Sequence, residues 1–377
     1  MVTTVTETIG GTSPDRTTIA LWESNTQGNL VTDDEIQEGR CRAVTLNATV
    51  TIAGSTTSTT QYRHLTADPV TNAEHDGTEG SGVYIVPSTT GKAITVEENH
   101  FHLSLLEIGA GTDPSDEAVR VGDGAIDNIT THIDQCLFHG NEVDQSDGVY
   151  IGNNGDGIVV NITNCFFWSW GRAGVHRQST GNGSFAATMN VDNCTIVGTS
   201  VNTNAAGGML AYTSQPGASA TFNANGCIVS HGTATSPILQ QSFQNYDTGQ
   251  AGTHTWNVTD CIVDDDDITS AISEKSGTQL RCTEDATFQT GTSYTAGDVV
   301  MFVDYAGTVW DLHLEDDANN VAIDYIDGTT PGPYTLDDID GTGTRTAATD
   351  TSAGADEIAA GGGGGGIEVL RRRAEGY

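Results

Sequence analysis

Short runs of alternating apolar and polar residues recur along the chain, separated by turns rich in Gly, Asn, Asp and Ser. One run is centred on a cysteine and appears five times, at Cys136, Cys165, Cys194, Cys227 and Cys261. These cysteines lie 29, 29, 33 and 34 residues apart. A period of this length is typical of repeat proteins in which each repeat forms one coil.

Two further strand-like runs accompany each cysteine run. One starts with glycine and recurs at 82–85, 148–151, 174–177 and 208–211; the other lies between the two, as in 157–161 and 187–191. Three short strands per repeat, with no helical periodicity between them, predict an all-β right-handed parallel β-helix solenoid. Apolar side chains then point inward, and Thr, Asn and Asp point outward.

The cysteines are predicted to form a ladder of buried thiols inside the solenoid. Equivalent residues of stacked coils lie above one another, and a free cysteine behaves as a small apolar side chain. Seven cysteines is an odd number, which excludes a complete disulfide framework. No C-x-x-C spacing indicates a metal site.

Flanking segments resemble the ends of pectate-lyase-like β-helices, a group that includes many phage tailspikes. Residues 18–23 and 30–36 resemble their opening segment, a small helical cap. Residues 302–304, 311–314 and 322–324 resemble the closing coil, and 354–357 resemble the terminal tag. The resemblance concerns fold, because this fold hosts lyases, hydrolases, adhesins and inert spikes.

The expected organisation has four parts. Residues 1–45 form the N-terminal cap segment, 46–330 the parallel β-helix, 331–360 a C-terminal closing segment, and 361–377 a tether with a basic tail. The tether is the six-glycine run Gly361–Gly366, a composition typical of flexible linkers. In the tail, Val369 and Leu370 would anchor a docking peptide, while Arg371, Arg372 and Arg373 pair with carboxylates of a partner. A disordered tail is the alternative.

The chain has 14 Lys and Arg against 50 Asp and Glu, a net charge of −36. Phosphates would be repelled, so we expect no nucleic-acid partner. Such an acidic surface favours a halophilic protein, since the Debye length shrinks to about 3 Å in molar salt. No apolar run approaches the length of a membrane span, so no membrane insertion is expected. The N-terminus lacks the pattern of a signal peptide, which predicts synthesis in the host cytoplasm without one.

The best candidates for ligand binding lie around the run Phe166–Arg172. Alternation predicts that Trp168 or Trp170 emerges at a turn, beside Arg172, His176 and Arg177. An exposed indole next to cations could stack on a sugar ring and bind a host-surface glycan. Packing of these side chains at the turn is the alternative.

Catalytic and metal signals are weaker. Glu142, Asp144 and Asp147 could supply a carboxylate pair for glycoside hydrolysis, but acidic residues are abundant throughout the chain. No catalytic residue is therefore assigned, and no cofactor is expected beyond Ca²⁺. The run Asp264–Asp267 could hold that ion, or it could be a solvated acidic loop.

These features favour a virion structural protein of a haloarchaeal tailed virus: a spike, turret, fibre or decoration subunit on the virion surface. Its partners would be other virion proteins, copies of itself in a homo-oligomer, with a trimer favoured, and a host-surface glycan or S-layer. The alternative is a polysaccharide lyase or glycoside hydrolase of the β-helix fold. An exposed face with clustered carboxylates and a basic group distinguishes the enzyme.

The charge predicts that the fold requires salt. Dialysis from about 3 M to about 0.1 M salt lengthens the Debye length to about 10 Å and restores repulsion among the carboxylates. Circular dichroism should then show loss of β structure and a lower thermal midpoint. Unchanged spectra and midpoint at low salt would contradict the halophilic interpretation.

Overall fold

The computed structural model describes residues 1–42, 44–71, 73–113, 116–124, 126–140, 146–152, 155–179, 185–198, 206–213, 217–230, 240–247, 252–263, 277–280, 282, 287–290, 299–304 and 311–314. Its helices are short: α1 (Ile19–Asn25), α2 (Leu30–Asp33) and a 3₁₀ turn (Pro69–Thr71). In these segments, no helix has the length and apolarity needed to cross a membrane.

Strands dominate the rest of the described chain. Strands β1 to β14 are Thr3–Ile9, Glu35–Cys41, Thr45–Asn47, Val50–Ile52, Arg63–Ala67, Tyr84–Val86, Ile94–Val96, His100–Ser104, Glu107–Gly109, Glu117–Val121, Thr130–Asp134, Leu137–His139, Asp147–Ile151 and Ile158–Thr163. Strands β15 to β28 are Phe166–Trp170, Ala173–Ser179, Ala186–Asp192, Thr195–Gly198, Ala206–Thr213, Ser219–Asn225, Ile228–Ser230, Gln240–Asp247, Thr253–Thr259, Ile262–Val263, Gly277–Leu280, Thr287–Thr290, Val299–Asp304 and Asp311–Leu314.

Successive coils of the described chain stack their strands into three parallel sheets. Sheet 1 has the order β1-β2-β5-β8-β11-β14-β17-β20-β23-β25. Sheet 2 has the order β24-β21-β18-β15-β12-β9-β6-β3, and sheet 3 the order β22-β19-β16-β13-β10-β7-β4. From β8 onward a coil runs through sheets 1, 2 and 3 in turn, as β11, β12 and β13 do. This arrangement confirms the all-β parallel β-helix.

Inward-facing side chains form columns through the stack. Phe138 pairs with Ile108 on one side and Phe167 on the other in sheet 2, and all three are fully buried. The Phe138 and Phe167 rings stack with centroids 4.6 Å apart. Burial of such side chains contributes about 1.5–3 kcal/mol each, so the continuous interior column is the main source of stability.

The corner between sheets 1 and 2 depends on one backbone conformation. The residue that follows each of the six strands β8, β11, β14, β17, β20 and β23 has a positive φ between 49° and 61°: Leu105, Gln135, Asn164, Asn193, Gly226 and Asp260. Asn, Asp and Gly tolerate this left-handed region best. The residue before four of the five repeated cysteines is therefore Asn, Asp or Gly because the chain must turn there.

The five cysteines are buried and stacked, as predicted. All are 0% exposed, and each follows the left-handed corner residue. Backbone carbonyls of Cys136, Cys165, Cys194 and Cys227 accept hydrogen bonds from the next coil. Each thiol donates to the carbonyl two residues earlier, at 3.1–3.4 Å. All seven cysteines of the chain are free thiols.

One part of the predicted repeat alignment is wrong. The predicted repeat puts residues 82–85 in phase with 148–151, yet β6 pairs with β3 and β9 in sheet 2, whereas β13 belongs to sheet 3. The reason is the longer connection from β5 to β6, which contains the 3₁₀ turn and shifts the period. The register of a strand is set by the strands on which it stacks, and not by its sequence similarity to another repeat.

The N-terminal segment is tied to the first coils. Strands β1 and β2 already belong to sheet 1, and Trp22 of α1 is fully buried. The buried guanidinium of Arg63 forms ion pairs with Glu98 and with Glu23 of α1. Removing one partner of a buried pair typically costs 3–5 kcal/mol, so this contact fastens α1 to the coils.

Only some of the C-terminal segments named in the sequence predictions lie within the described residues. The stretches 302–304 and 311–314 lie in β27 and β28, which with β26 form a separate three-stranded sheet. Residues 322–324, 354–357, the glycine tether and the tail residues Val369–Arg373 lie outside the described residues. The acidic run Asp264–Asp267 and the loop residues Glu142 and Asp144 lie outside them as well.

Candidate active site

The predicted glycan-binding residues do not form one exposed surface. Trp168 and Trp170 are only 2% and 1% exposed, so the prediction that one of them emerges at a turn is wrong. Ser169 between them has a φ of 60° and coincides with a register shift, which turns Trp170 into the core. Trp168 stacks on His139 on the outer side of sheet 2.

The cationic candidates also separate. Arg177 is fully buried in the inward-facing column between Ile151 and Ala211, where it donates to the carbonyl of Gly152. Burial lowers the pKa of Arg177 to about 10. Arg172 and His176, in contrast, converge on one carboxylate on the outer face of sheet 3.

That carboxylate belongs to Asp147, at the start of β13. It is 0% exposed and accepts hydrogen bonds from Arg172 Nε at 3.0 and 3.1 Å and from Arg172 Nη2. His176 Nδ1 lies 2.9 Å from Asp147 Oδ2, the oxygen that Arg172 Nη2 also contacts. Burial would raise the pKa of Asp147, but the charges and hydrogen bonds of Arg172 and His176 outweigh it and lower that pKa. Asp147 is thus ionised at neutral pH.

Glu117 lies beside Asp147 on the preceding coil. The two residues are direct register partners in strands β10 and β13, which places their backbones about 4.8 Å apart. Glu117 is 3% exposed, and its Oε2 has no hydrogen-bond partner among the described residues. Burial raises the pKa of Glu117 to about 7, and the negative charge of Asp147 adds to the rise. Two neighbouring carboxyl groups therefore have pKa values shifted in opposite directions.

Basic side chains surround this pair. Arg120 Nη1 lies 3.6 Å from Glu117 Oε1, and its Nε lies 2.9 Å from Asp123. Lys92 lies 3.5 Å from the same Asp123. The guanidinium of Arg120 stands 4.6 Å from the centre of the Tyr150 ring, and that of Arg172 stands 5.8 Å from it. In so acidic a chain, this grouping of cations on one outer face is a distinct local feature.

His176 completes the cluster. Burial lowers the pKa of His176 to about 4 despite the neighbouring Asp147, so the imidazole is neutral at pH 7. A neutral ring that donates from Nδ1 to Asp147 keeps a lone pair on Nε2. That Nε2 has no hydrogen-bond partner among the described residues. The cluster thus contains a proton donor, Glu117, and a proton acceptor, His176 Nε2.

Sequence reasoning identified Asp147, Arg172 and His176 but missed Glu117, Arg120, Tyr150 and Lys92. The available signal was the register. When 117–121 is aligned as one more repeat of 147–151 and 173–177, Glu117 falls directly on Asp147. The misplaced alignment of 82–85 concealed that repeat.

The structure is thus a parallel β-helix with a cluster of buried titratable side chains on the outer face of one sheet. Comparison with solved structures found two crystal structures of the pectin methylesterase from Aspergillus niger. Each is 10% identical in sequence to this chain, and each match covers 84% of the esterase chain. The matches cover 74% and 72% of this chain, with TM-scores of 0.35 and 0.34. A scan against protein-family models and a search of curated proteins found no match. The function proposed below rests on the geometry of the cluster.

The raised pKa of Glu117 predicts a pH-dependent stability that Glu117→Gln removes. The unfolded chain ionises Glu117 near 4.5, whereas the folded chain retains the proton until about 7. The contribution is therefore complete below about pH 4.5 and is lost as the pH rises towards 7, at up to about 1.4 kcal/mol per pH unit. Denaturant titrations of both proteins across this window measure the difference in slope. Parallel pH dependences would contradict the assignment.

Proposed function

We propose that this protein degrades an anionic polysaccharide by glycoside hydrolysis on the outer face of sheet 3. The observation that carries the proposal is the pairing of protonated Glu117 with ionised Asp147 on adjacent coils. In glycosidases, two neighbouring carboxyl groups lie in different environments that shift their pKa values apart. One group then acts as the acid, and the other stays ionised and stabilises the transition state.

Glu117 is the general acid in this proposal. Its pKa of about 7 is near neutral pH, where a proton donor is most effective. It donates its proton to the glycosidic oxygen as the bond to the sugar carbon breaks. Asp147 stays ionised beside it and stabilises the positive charge that develops on the sugar ring.

The Asp147–His176 pair supplies the base. Asp147 accepts the Nδ1 proton of His176 and orients the ring, so Nε2 removes a proton from the attacking water. Asp147 also stabilises the imidazolium that forms. One proton leaves Glu117 and one arrives on His176, and exchange with solvent restores both groups after the products leave.

The substrate class follows from the cations. Lys92, Arg120 and Arg172 lie on the outer face of sheet 3, and the side chains of Arg120 and Arg172 are 14% and 16% exposed. Arg172 already pairs with Asp147 and Arg120 with Asp123, but each guanidinium has five N–H donors and can direct the remaining ones to a substrate carboxylate. A polymer of uronic acids presents one carboxylate per sugar and suits this surface better than a neutral glycan. At low salt the strongly acidic remainder of the protein also repels such a polymer and favours binding at this face, whereas in molar salt only the short-range contacts with these cations act.

The non-catalytic role on a virion remains a prediction. It includes the trimer, the contacts of the tail with other virion proteins, and recognition of a host glycan or S-layer. The halophilic and viral source is likewise a prediction from composition. The catalytic proposal has a specific cluster in its support, and the assay below separates the two functions.

Purified protein should release new reducing ends from a uronic-acid polysaccharide and fewer from a neutral one such as dextran. Glu117→Gln removes the acid and should lower the rate by about 10²–10⁴-fold, the usual contribution of general acid catalysis. Asp33→Asn, a carboxylate-to-amide change at an exposed position of α2, is the matched control and should retain the wild-type rate.

A second readout separates hydrolysis from elimination. Hydrolysis adds water and leaves no absorbance of an unsaturated sugar, whereas a lyase creates a conjugated double bond. Product with that absorbance, or a rate unaffected by Glu117→Gln, would contradict the mechanism. Absence of product from every polysaccharide would favour the structural role.

A further inference from the structure

A second cluster lies away from the proposed active site, on the outer face of sheet 2. It consists of Glu79 before β6, Glu107 in β9 and His139 in β12. One potential ligand atom from each of the three side chains lies within 4.8 Å of the others. The cluster connects the segment before β6 with two successive coils.

The imidazole of His139 is held in one orientation. Its ring stacks on Tyr84 at a centroid distance of 4.7 Å and on Trp168 at 5.5 Å. The neighbouring strand contributes Gly109 at the paired position, and a Cβ there would overlap the Tyr84 ring. The absence of a side chain at Gly109 thus allows Tyr84 to reach His139.

The two ring nitrogens of His139 have different surroundings. Nδ1 lies 3.4 Å from the carbonyl oxygen of Gly140. Nε2 is buried and lies 3.2 Å from Glu107 Oε1, yet it forms no hydrogen bond with any residue that the structure describes. Histidines that bind metals usually direct one nitrogen to a carbonyl or carboxylate and the other to the ion, which is the arrangement here.

Glu107 is a buried carboxyl group at the centre of the cluster, and it lies against the ring of His139. The residue is 1% exposed, and its Oε2 accepts a hydrogen bond from the backbone N–H of Gly80 at 2.8 Å. Among the described residues, no lysine or arginine forms an ion pair with it. Glu79 brings a second carboxylate to the same point. Two carboxylates this close repel one another unless a cation, either a metal ion or the protonated ring of His139, lies between them.

We propose that Glu79, Glu107 and His139 bind one divalent transition-metal ion of the zinc type. Zinc binds His nitrogen and carboxylate oxygen at about 2.0–2.2 Å, so two ligand atoms of a tetrahedral site lie about 3.4 Å apart. The separation of His139 Nε2 and Glu107 Oε1 is 3.2 Å. A set of one nitrogen and two oxygens favours zinc over Ca²⁺, which takes six to eight oxygens. The fourth zinc position is left for water.

The bound ion would join the segment around Glu79 to the coils that contain β9 and β12. This role is independent of the hydrolysis proposed for sheet 3, because none of the three ligands contacts Glu117 or Asp147 in the described structure. An experiment that disproves zinc binding would therefore leave the proposed hydrolysis untouched, and the reverse also holds.

The test is calorimetric titration of ZnCl₂ into the full chain, freed of metal with a chelator and kept at the salt concentration where it is folded. We expect one zinc ion per chain and a higher thermal midpoint with the ion bound. Glu79→Gln, on a partly exposed residue outside the strands, should weaken zinc binding at least tenfold without unfolding the protein. Glu74→Gln in the same segment is the matched control and should bind zinc like the wild type.

Cobalt in place of zinc gives a second readout, since its visible absorption reports a nitrogen ligand in a tetrahedral field. His139→Gln should remove that band while Glu74→Gln retains it. The proposal is overturned if no stoichiometric zinc binding occurs, if Glu79→Gln binds zinc as tightly as the wild type, or if an equal concentration of Ca²⁺ displaces the ion. The last two outcomes would indicate adsorption to the acidic surface.

Discussion

Backbone hydrogen bonds between successive coils hold equivalent residues of neighbouring strands above one another at a spacing of about 4.8 Å. Two features fix this register: the apolar columns inside, and the left-handed residue that makes the corner before each repeated cysteine. A slip of one residue would expose an entire inward column. Each functional position is therefore set by its place in the coil and by the coil it belongs to.

The same stacking brings like and unlike polar groups together on the outer faces. In sheet 1, Asn161, Asn190, Asn223 and Asn257 join amide to amide at 2.7–2.8 Å. In sheet 3 the register instead places Glu117 on Asp147. Burial disfavours both charges, and the outcome depends on partners. Asp147 receives the full fork of Arg172 and stays ionised, whereas Glu117 has only a 3.6 Å contact with Arg120 and retains its proton. The difference in partners thus leaves one carboxyl group protonated until near pH 7 and the other ionised.

Much of the fold followed from sequence, because the cysteine spacing reports the coil length directly. The site followed only in part. The sequence alone indicates Asp147, Arg172 and His176 as candidates because of their residue types and their short separation. Glu117 can be assigned to the same cluster only once its strand β10 is paired with β13. The predicted exposure of a tryptophan is wrong for two reasons that alternation alone does not predict. Ser169 has a left-handed conformation that turns Trp170 inward, and Trp168 is buried by stacking on the outer side of sheet 2. Side chains that meet across coils are about 30 residues apart in sequence, and local patterns do not encode such contacts.

The central claim is that Glu117 keeps its proton until the pH approaches about 7, beside an Asp147 that is already ionised. Carbon-13 NMR of the side-chain carboxyl groups tests it directly, with Glu117→Gln and Asp147→Asn used to assign the two signals. The account predicts that the Glu117 signal titrates near pH 7 and that the Asp147 signal titrates below the usual aspartate range. If both carboxyl groups lose their protons together below about pH 4.5, the ordinary range for such groups, the account is wrong.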